Sequence, residues 1–248
     1  MFDIDGVLNE HGGNIVDSSK QAIQMLREHG LRVCFASGKH AWYIQGGLVW
    51  SGLLTSDTVI VAENGGVVYS PQTLRTAREN AHLGDVKLLR SIFYNLYSQK
   101  EGFVNFAGLK VWEEPKETLF CLFPEKTQDV VRLKKLLTEI VEVNKFRLYL
   151  VQNPDSVDVL QQGINKETGI RMACEWMDVD MAEVIAFGDS YNDLEMLSAV
   201  GFAVTLKNGK PEIKEVVDKK EDQGYIAALP YGDGVLEAVK YLIKRQHI

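Results

Sequence analysis

The chain has 248 residues, 46% of them apolar and 25% charged, with a formal net charge of −7. Such a composition is ordinary for a globular protein with room for one large or two small cores, and no apolar run reaches the length of a membrane span. The negative balance excludes nucleic acid and anionic membrane as natural partners, and any phosphate site must then bring its own positive charge.

Met1-Phe2-Asp3 opens the chain on an acid, not on a basic segment followed by an apolar stretch, so a secretion signal is not expected and the cytoplasm is. Cys34, Cys121 and Cys174 are widely spaced and form no metal-ligand motif, which predicts buried, reduced thiols. Phe2-Asp3-Ile4-Asp5 reads as the end of a strand cut off by Gly6. Asp17 or Ser18 is placed to cap a helix carrying Ala22, Ile23 and Leu26 on one face, and Gly30 ends it. Leu31 to Ala36 and Thr58 to Ala62 read as buried strands, followed by Ser37-Gly38 and by the turn Glu63-Asn64-Gly65-Gly66. This alternation predicts an α/β, Rossmann-like parallel sheet with crossover helices.

From residue 72 to 156 the texture changes. Helical periodicity around Val86 to Leu96 and Val130 to Ile140 flanks strand-like runs at Leu109–Trp112, Leu119–Phe123 and Arg147–Val151, which predicts an inserted α+β domain. The first domain, residues 1–71, is then completed by residues 157–248: a helix from Lys166 to Met177, a strand Glu183–Phe187, a helix from Tyr191, a strand Phe202–Leu206 and a last helix from about Gly234 to Lys244.

Open parallel sheets carry their chemistry beyond the C-terminal strand ends. Asp3 and Asp5, Ser37 and Gly38, Lys166, and Asp189 with Asp193 all fall at such ends or at the helix starts beside them. Each has an ordinary explanation on its own: Asp-x-Asp before Gly and Ser-Gly are common turn chemistry, a lysine at a helix start is usually solvated, and the later acids can be a cap and a surface charge. In combination, in this order and at these strand ends, they are not expected by accident.

The set resembles the haloacid dehalogenase superfamily of aspartate-nucleophile phosphohydrolases, through Phe2-Asp3-Ile4-Asp5-Gly6-Val7-Leu8, Phe35-Ala36-Ser37-Gly38, Lys166 and Gly188-Asp189-Ser190-Tyr191-Asn192-Asp193. The resemblance implies Asp3 as the nucleophile that becomes phosphorylated, and Asp5 as the acid and then base, on the same face of the strand two residues on. It implies a Mg²⁺ held by Asp3, the Asp5 carbonyl, Asp189 and Asp193, an oxygen set that suits a hard cation. Ser37, the Gly38 N–H and Asn192 are implied to bind phosphate, and Lys166 to neutralise the nucleophile and phosphate. The insert corresponds to a C2-type cap that selects substrate.

Glu63-Asn64-Gly65-Gly66 and Tyr231-Gly232-Asp233-Gly234-Val235 add a similarity to the archaeal-type phosphoglycolate phosphatases of the Cof-like group. The substrate implied is 2-phosphoglycolate, with a small phosphorylated metabolite as the only partner and a monomer or homodimer as the assembly. Sugar-phosphate and mannosyl-3-phosphoglycerate phosphatases, and phosphomutases with the same nucleophile, are the alternatives; a binding protein without catalysis is disfavoured because Asp3, Asp5 and Lys166 are all present. Lys39 departs from the family pattern and reads either as a solvated loop lysine or as a cation for a carboxylated substrate. Only Met1 and Phe2 precede Asp3, so the α-amino group is expected within ~10 Å of the catalytic carboxylate, and either an upstream start or a stunted first strand is expected. Trp42 and Trp50 read as helix packing residues, Lys110, Trp112 and Arg147 either as cap residues facing the substrate or as ordinary helix or strand surface, and of His11, His29, His40, His82 and His247 only His40 as a neighbour of the site.

Overall fold

In the segment leading to residue 62, Ile60 and Ala62 enter one apolar core while Val59 and Val61 enter another. That two-residue period belongs to a strand covered on both faces. The computed structural model describes residues 1–78, 84–97, 99–100 and 102–248, and the chain folds as two compact units, Met1–Ala77 with Asn165–Ile248, and Arg78–Ile164. His82 lies outside the described residues.

The first unit starts with α1 (Asp17–Glu28), β1 (Phe35–Ala36), α2 (Ala41–Trp50), β2 (Ile60–Ala62), β3 (Val67–Ser70) and β4 (Arg75–Arg78). Strand β1 runs parallel to β2, while β3 turns back antiparallel. The expected cap of α1 is not formed: Val16 occupies the cap position and Asp17 lies in the first turn, where its charge still favours the helix dipole.

The second unit holds α3 (Gly84–Leu96), β5 (Gln99–Lys100), β6 (Phe103–Phe106), β7 (Leu109–Glu114), β8 (Phe120–Pro124), α4 (Val130–Val143), β9 (Leu148–Gln152) and β10 (Val157–Gln161). Its sheet is antiparallel throughout, in the order β5-β6-β7-β8-β10-β9. Helices α3 and α4 contribute Leu89, Phe93, Leu133 and Leu137 to its core. The unit therefore differs from the expected 72–156: β10 pairs with both β8 and β9, so residues 157–164 belong to the antiparallel sheet, and β3 and β4 keep residues 72–77 with the first unit.

The first unit resumes with α5 (Lys166–Met177), β11 (Ile185–Phe187), α6 (Leu194–Ala199), β12 (Phe202–Thr205), α7 (Pro211–Asp218), β13 (Gly224–Ile226) and α8 (Tyr231–Lys244). β11, β12 and β13 pair in parallel. Helices α1, α2 and α8 supply one core and α5, α6 and α7 the other, giving the parallel sheet a helical layer on each face.

Phe2 joins the two halves of this sheet. It bridges in parallel to Phe35 on one side and to Phe187 on the other, and Asp3 N–H donates to the Phe187 carbonyl at 3.0 Å. β1 is shorter than the expected Leu31–Ala36 and pairs with β2 only through Phe35 and Ala36. The Met1 ammonium donates to the Ile185 carbonyl at 2.7 Å, and burial lowers its pKa against the opposing influence of Cys34 and Cys174. All three cysteines are free and buried. Trp42 and Trp50 depart from expectation: they are 62% and 93% exposed, because the apolar residues of α2 extend around the helix and Ile44 and Leu48 take the core face. Among the described residues, no helix is long and apolar enough to cross a membrane.

Candidate active site

The polar residues that follow the strand ends converge. Asp3 follows the bridge residue Phe2, and its carboxylate lies 2.8 Å from Lys166 Nζ. Lys166 is the first residue of α5, set there by a reciprocal cap in which Asn165 and Thr168 bond each other's backbone. It is wholly buried, contrary to the solvated role usual for a lysine at a helix start, and its Nζ also reaches Asp193 Oδ1 at 2.6 Å. The other oxygen of Asp193 accepts the Asp189 and Ser190 N–H groups at 2.9 and 3.0 Å. One carboxylate thus closes the loop after β11 and anchors the lysine that faces Asp3.

Carboxylate oxygens of Asp3, Asp189 and Asp193 lie within 4.8 Å of one another, all on buried residues. Asp189 Oδ1 is buried without a hydrogen-bond partner. Gly6 makes room for that carboxylate: its φ is +87°, and a Cβ there would fall 2.3 Å from Asp189 Oδ2. Two of these acids pair with one lysine, and the third, Asp189, carries a buried oxygen without a hydrogen-bond partner. This donor set fits a divalent cation of the Mg²⁺ type far better than zinc, which favours sulfur and nitrogen.

Electrostatics express the same excess. Burial pushes the Asp3 carboxyl up to about 7; Lys166 pulls against it and Asp193 adds to it. Burial, then the Asp3 and Asp193 carboxylates, push Asp189 up to about 8. Burial would strip the proton from Lys166, but Asp193 and Asp3 outweigh it and hold its pKa above the ordinary lysine value.

A stability prediction follows from the two acids. Their ordinary pKa is 3.8, so between about pH 4 and pH 8 the folded protein keeps protons that the unfolded chain has released. Folding stability of the metal-free protein therefore falls as pH rises through that window. Thermal melts in EDTA are expected to show Tm decreasing from about pH 5 to pH 8, with added Mg²⁺ raising Tm more at the upper end. Asp189→Asn is expected to flatten the slope; an equally steep slope in that variant would remove Asp189 as its source.

Asp5 stands apart from this cluster. Its carboxylate pairs with Lys39 Nζ at 3.1 Å and receives a long contact from Asn9 Nδ2 at 3.4 Å. Ser37 and Gly38 follow β1, and Ser37 N–H donates to the Val61 carbonyl at 2.9 Å. His40 approaches Glu63 at 3.8 Å, and its Nδ1 accepts the Trp42 N–H at the start of α2.

Asn64 is a member of the site that the spacing of acids did not identify. It is buried with φ +53°, directly after Glu63 with φ +52°. Two adjacent left-handed residues other than glycine mark stored strain. Asn64 Oδ1 accepts from Asn192 Nδ2 at 3.0 Å, its N–H donates to the Ser37 carbonyl at 3.1 Å, and its amide lies 3.2 Å from where a Cβ on Gly38 would stand. It therefore ties the Ser37-Gly38 turn to the Asn192 turn. Gly65 makes this possible: at φ +98° a Cβ would meet the Asn165 carbonyl at 1.9 Å, so only glycine lets the turn sit against the start of α5. The signal was the unusual turn Glu63-Asn64-Gly65-Gly66.

Residues 1–113 and 95–238 match the haloacid dehalogenase-like hydrolase family. The chain belongs to that family. Among relatives of this hydrolase, a phosphoglycolate phosphatase from Haloarcula marismortui is 31% identical over 240 residues, spanning 96% of this chain and 94% of that protein. Another from Methanothermobacter thermautotrophicus is 27% identical over 241 residues, spanning 96% and 95%. In fold, the hydrolase is similar to the Thermoplasma acidophilum protein 0175, with a TM-score of 0.74, 18% identity and coverage of 98% and 96%. It is also similar to the sucrose-phosphatase of a Synechocystis species, solved with sucrose and phosphate, with a TM-score of 0.70, 17% identity and coverage of 98% and 96%. The relatives matched over almost their whole length are named phosphatases, in keeping with an α/β core carrying an inserted α+β unit.

Proposed function

We propose that this hydrolase is a Mg²⁺-dependent phosphatase of 2-phosphoglycolate that works through an aspartyl phosphate on Asp3. The observation that carries the chemistry is the buried Asp3–Lys166–Asp193 ion-pair chain, with Asp189 beside it. The names of the whole-length relatives support the substrate.

Asp3, the Asp5 carbonyl and Asp189 would hold the cation, with Asp193 close by but already committed to Lys166 and two backbone N–H groups. Bound there, Mg²⁺ supplies positive charge to the phosphate oxygens and offsets their repulsion from Asp3. Ser37, the Gly38 N–H and Asn192 grip the remaining phosphate oxygens, while Lys166 stays protonated and balances charge at the nucleophile.

An Asp3 oxygen attacks phosphorus and the bond from phosphorus to the ester oxygen breaks. The Asp5 carboxyl gives its proton to that oxygen, so it leaves as a hydroxyl rather than as an alkoxide. Asp5, now a carboxylate, takes a proton from water as the water oxygen attacks phosphorus. The bond to Asp3 breaks, inorganic phosphate departs, and both acids return to their starting states. The inserted unit acts as the substrate-selecting cap.

Phosphate release from 2-phosphoglycolate, hexose 6-phosphates, mannosyl-3-phosphoglycerate and p-nitrophenyl phosphate tests this, with Mg²⁺ and again with EDTA. The expected result is Mg²⁺-dependent release strongest with 2-phosphoglycolate. Preference for a hexose phosphate would move the substrate while keeping the chemistry. Turnover that needs a bisphosphate activator would replace the phosphatase with a mutase.

A further inference from the structure

Lys39 has no part in either half of that mechanism, yet its position is well determined. Its carbonyl accepts the Glu63 N–H at 3.0 Å, which fixes the backbone after the Ser37-Gly38 turn. Its ammonium lies 3.1 Å from Asp5 Oδ2 and 5.1 Å from the centre of the Tyr43 ring, with a third of the side chain exposed. Asp5 and Lys39 both line a cavity of about 680 Å³ within the first unit, whose wall also includes Asn9, Asn14, Trp42 and Tyr43.

The acid that protonates the leaving oxygen must come within about 2.6–3.2 Å of it. A cation in contact with the Asp5 carboxylate therefore stands within about one carboxylate's width of the first atoms of the alcohol. From the separation of Lys39 and Asp5, together with their shared cavity wall, we propose that Lys39 is the specificity residue for the alcohol. It exchanges its Asp5 partner for a substrate carboxylate carried on the carbon that bears the phosphoryl ester, and so selects phosphate esters of α-hydroxy acids.

The exchange favours an anion over a neutral group. Lys39 leaves a charge-assisted contact with Asp5, and a sugar hydroxyl returns roughly half the strength of such a bond, whereas a carboxylate replaces it in kind. The geometry favours a near carboxylate. Lys39 Nζ already lies one contact from the carboxylate that serves the ester oxygen, so a group one carbon away needs only a small swing of the lysine. The Tyr43 ring, 5.1 Å from the ammonium, gives the cation a further contact beside Asp5. This inference rests on the phosphatase reading above and adds the residue and the position of the charge that the substrate must carry.

The test compares 2-phosphoglycolate with ethyl phosphate, which has a methyl group where the former has its carboxylate. Wild type, Lys39→Met and Lys39→Arg are assayed with Mg²⁺ on both. Lys39→Met is expected to lower the ratio of kcat/KM for 2-phosphoglycolate over ethyl phosphate by about tenfold or more, chiefly through KM for 2-phosphoglycolate. Lys39→Arg is expected to restore much of that ratio. A ratio that stays within about threefold of wild type in Lys39→Met would overturn the proposal, because a solvated lysine or a general phosphate cation treats both esters alike. A wild type that hydrolyses ethyl phosphate as well as 2-phosphoglycolate would also overturn it, with the phosphatase reading left standing. A wild type inactive on both esters would overturn the proposal as well, and inactivity extending to the hexose 6-phosphates and p-nitrophenyl phosphate would overturn the phosphatase reading itself.

Discussion

Asp3→Asn is expected to lower kcat by at least about four orders of magnitude while leaving the fold intact. Asparagine has the same shape but cannot form the acyl phosphate, so the loss falls on the chemical step. The folded protein does not need the charge: burial already drives the Asp3 carboxyl up to about 7, and Lys166 keeps Asp193 as a partner at 2.6 Å. Metal-free Asp3→Asn should therefore melt no lower than wild type at about pH 8, because it removes one of three crowded acids. Steady-state kinetics and thermal melts on the same preparation check both parts. Turnover within tenfold of wild type would exclude Asp3 as the nucleophile.

Lys166→Met has the second large effect, and here folding and catalysis fall together. The ammonium is wholly buried between Asp3 and Asp193, so its removal leaves two desolvated carboxylates without a counter-charge. Breaking a buried pair in this way costs about 3–5 kcal/mol, which for a chain of this size corresponds to a Tm lower by roughly 10 °C or more. Turnover should drop by about a thousandfold or more in protein that remains folded, since charge at the nucleophile is no longer balanced. Adding Asp193→Asn to Lys166→Met should recover part of the stability and none of the turnover. Full stability in Lys166→Met alone would mean that the acids relax without their partner, and the excess negative charge assigned to the site would be wrong.

The helix from Lys166 to Met177 was legible to the residue, because Asn165 and Thr168 form a cap at one end and Ile170, Ala173 and Cys174 repeat at helical spacing. The convergence of Asp3, Lys166, Asp189 and Asp193 was legible as well, since a parallel sheet places its strand ends on one edge. Strand β10 was not. Val157–Gln161 carries Asp158 and Gln161 among its apolar residues, and all five are buried, so no alternation marks it as a sheet strand. The faces of α2 were illegible for a related reason: Trp42, Tyr43, Ile44, Leu48, Val49 and Trp50 spread around the helix, and only packing decides that Ile44 and Leu48 go inward. Asn64 showed in the sequence only as part of the turn Glu63-Asn64-Gly65-Gly66 and Lys39 only as a lysine after Ser37-Gly38; their contacts across the fold, to Asn192 and to Asp5, are encoded by no local pattern.

The central claim is that the phosphoryl group passes through Asp3, and a rapid acid quench during turnover of 2-phosphoglycolate tests it most directly. Mass analysis of the peptide containing residues 1–20 should then show a fraction heavier by one phosphoryl group, absent from Asp3→Asn and from protein without substrate. Phosphate released in full with no phosphorylated peptide at any quench time, or with the phosphoryl group on a peptide lacking Asp3, would contradict the account.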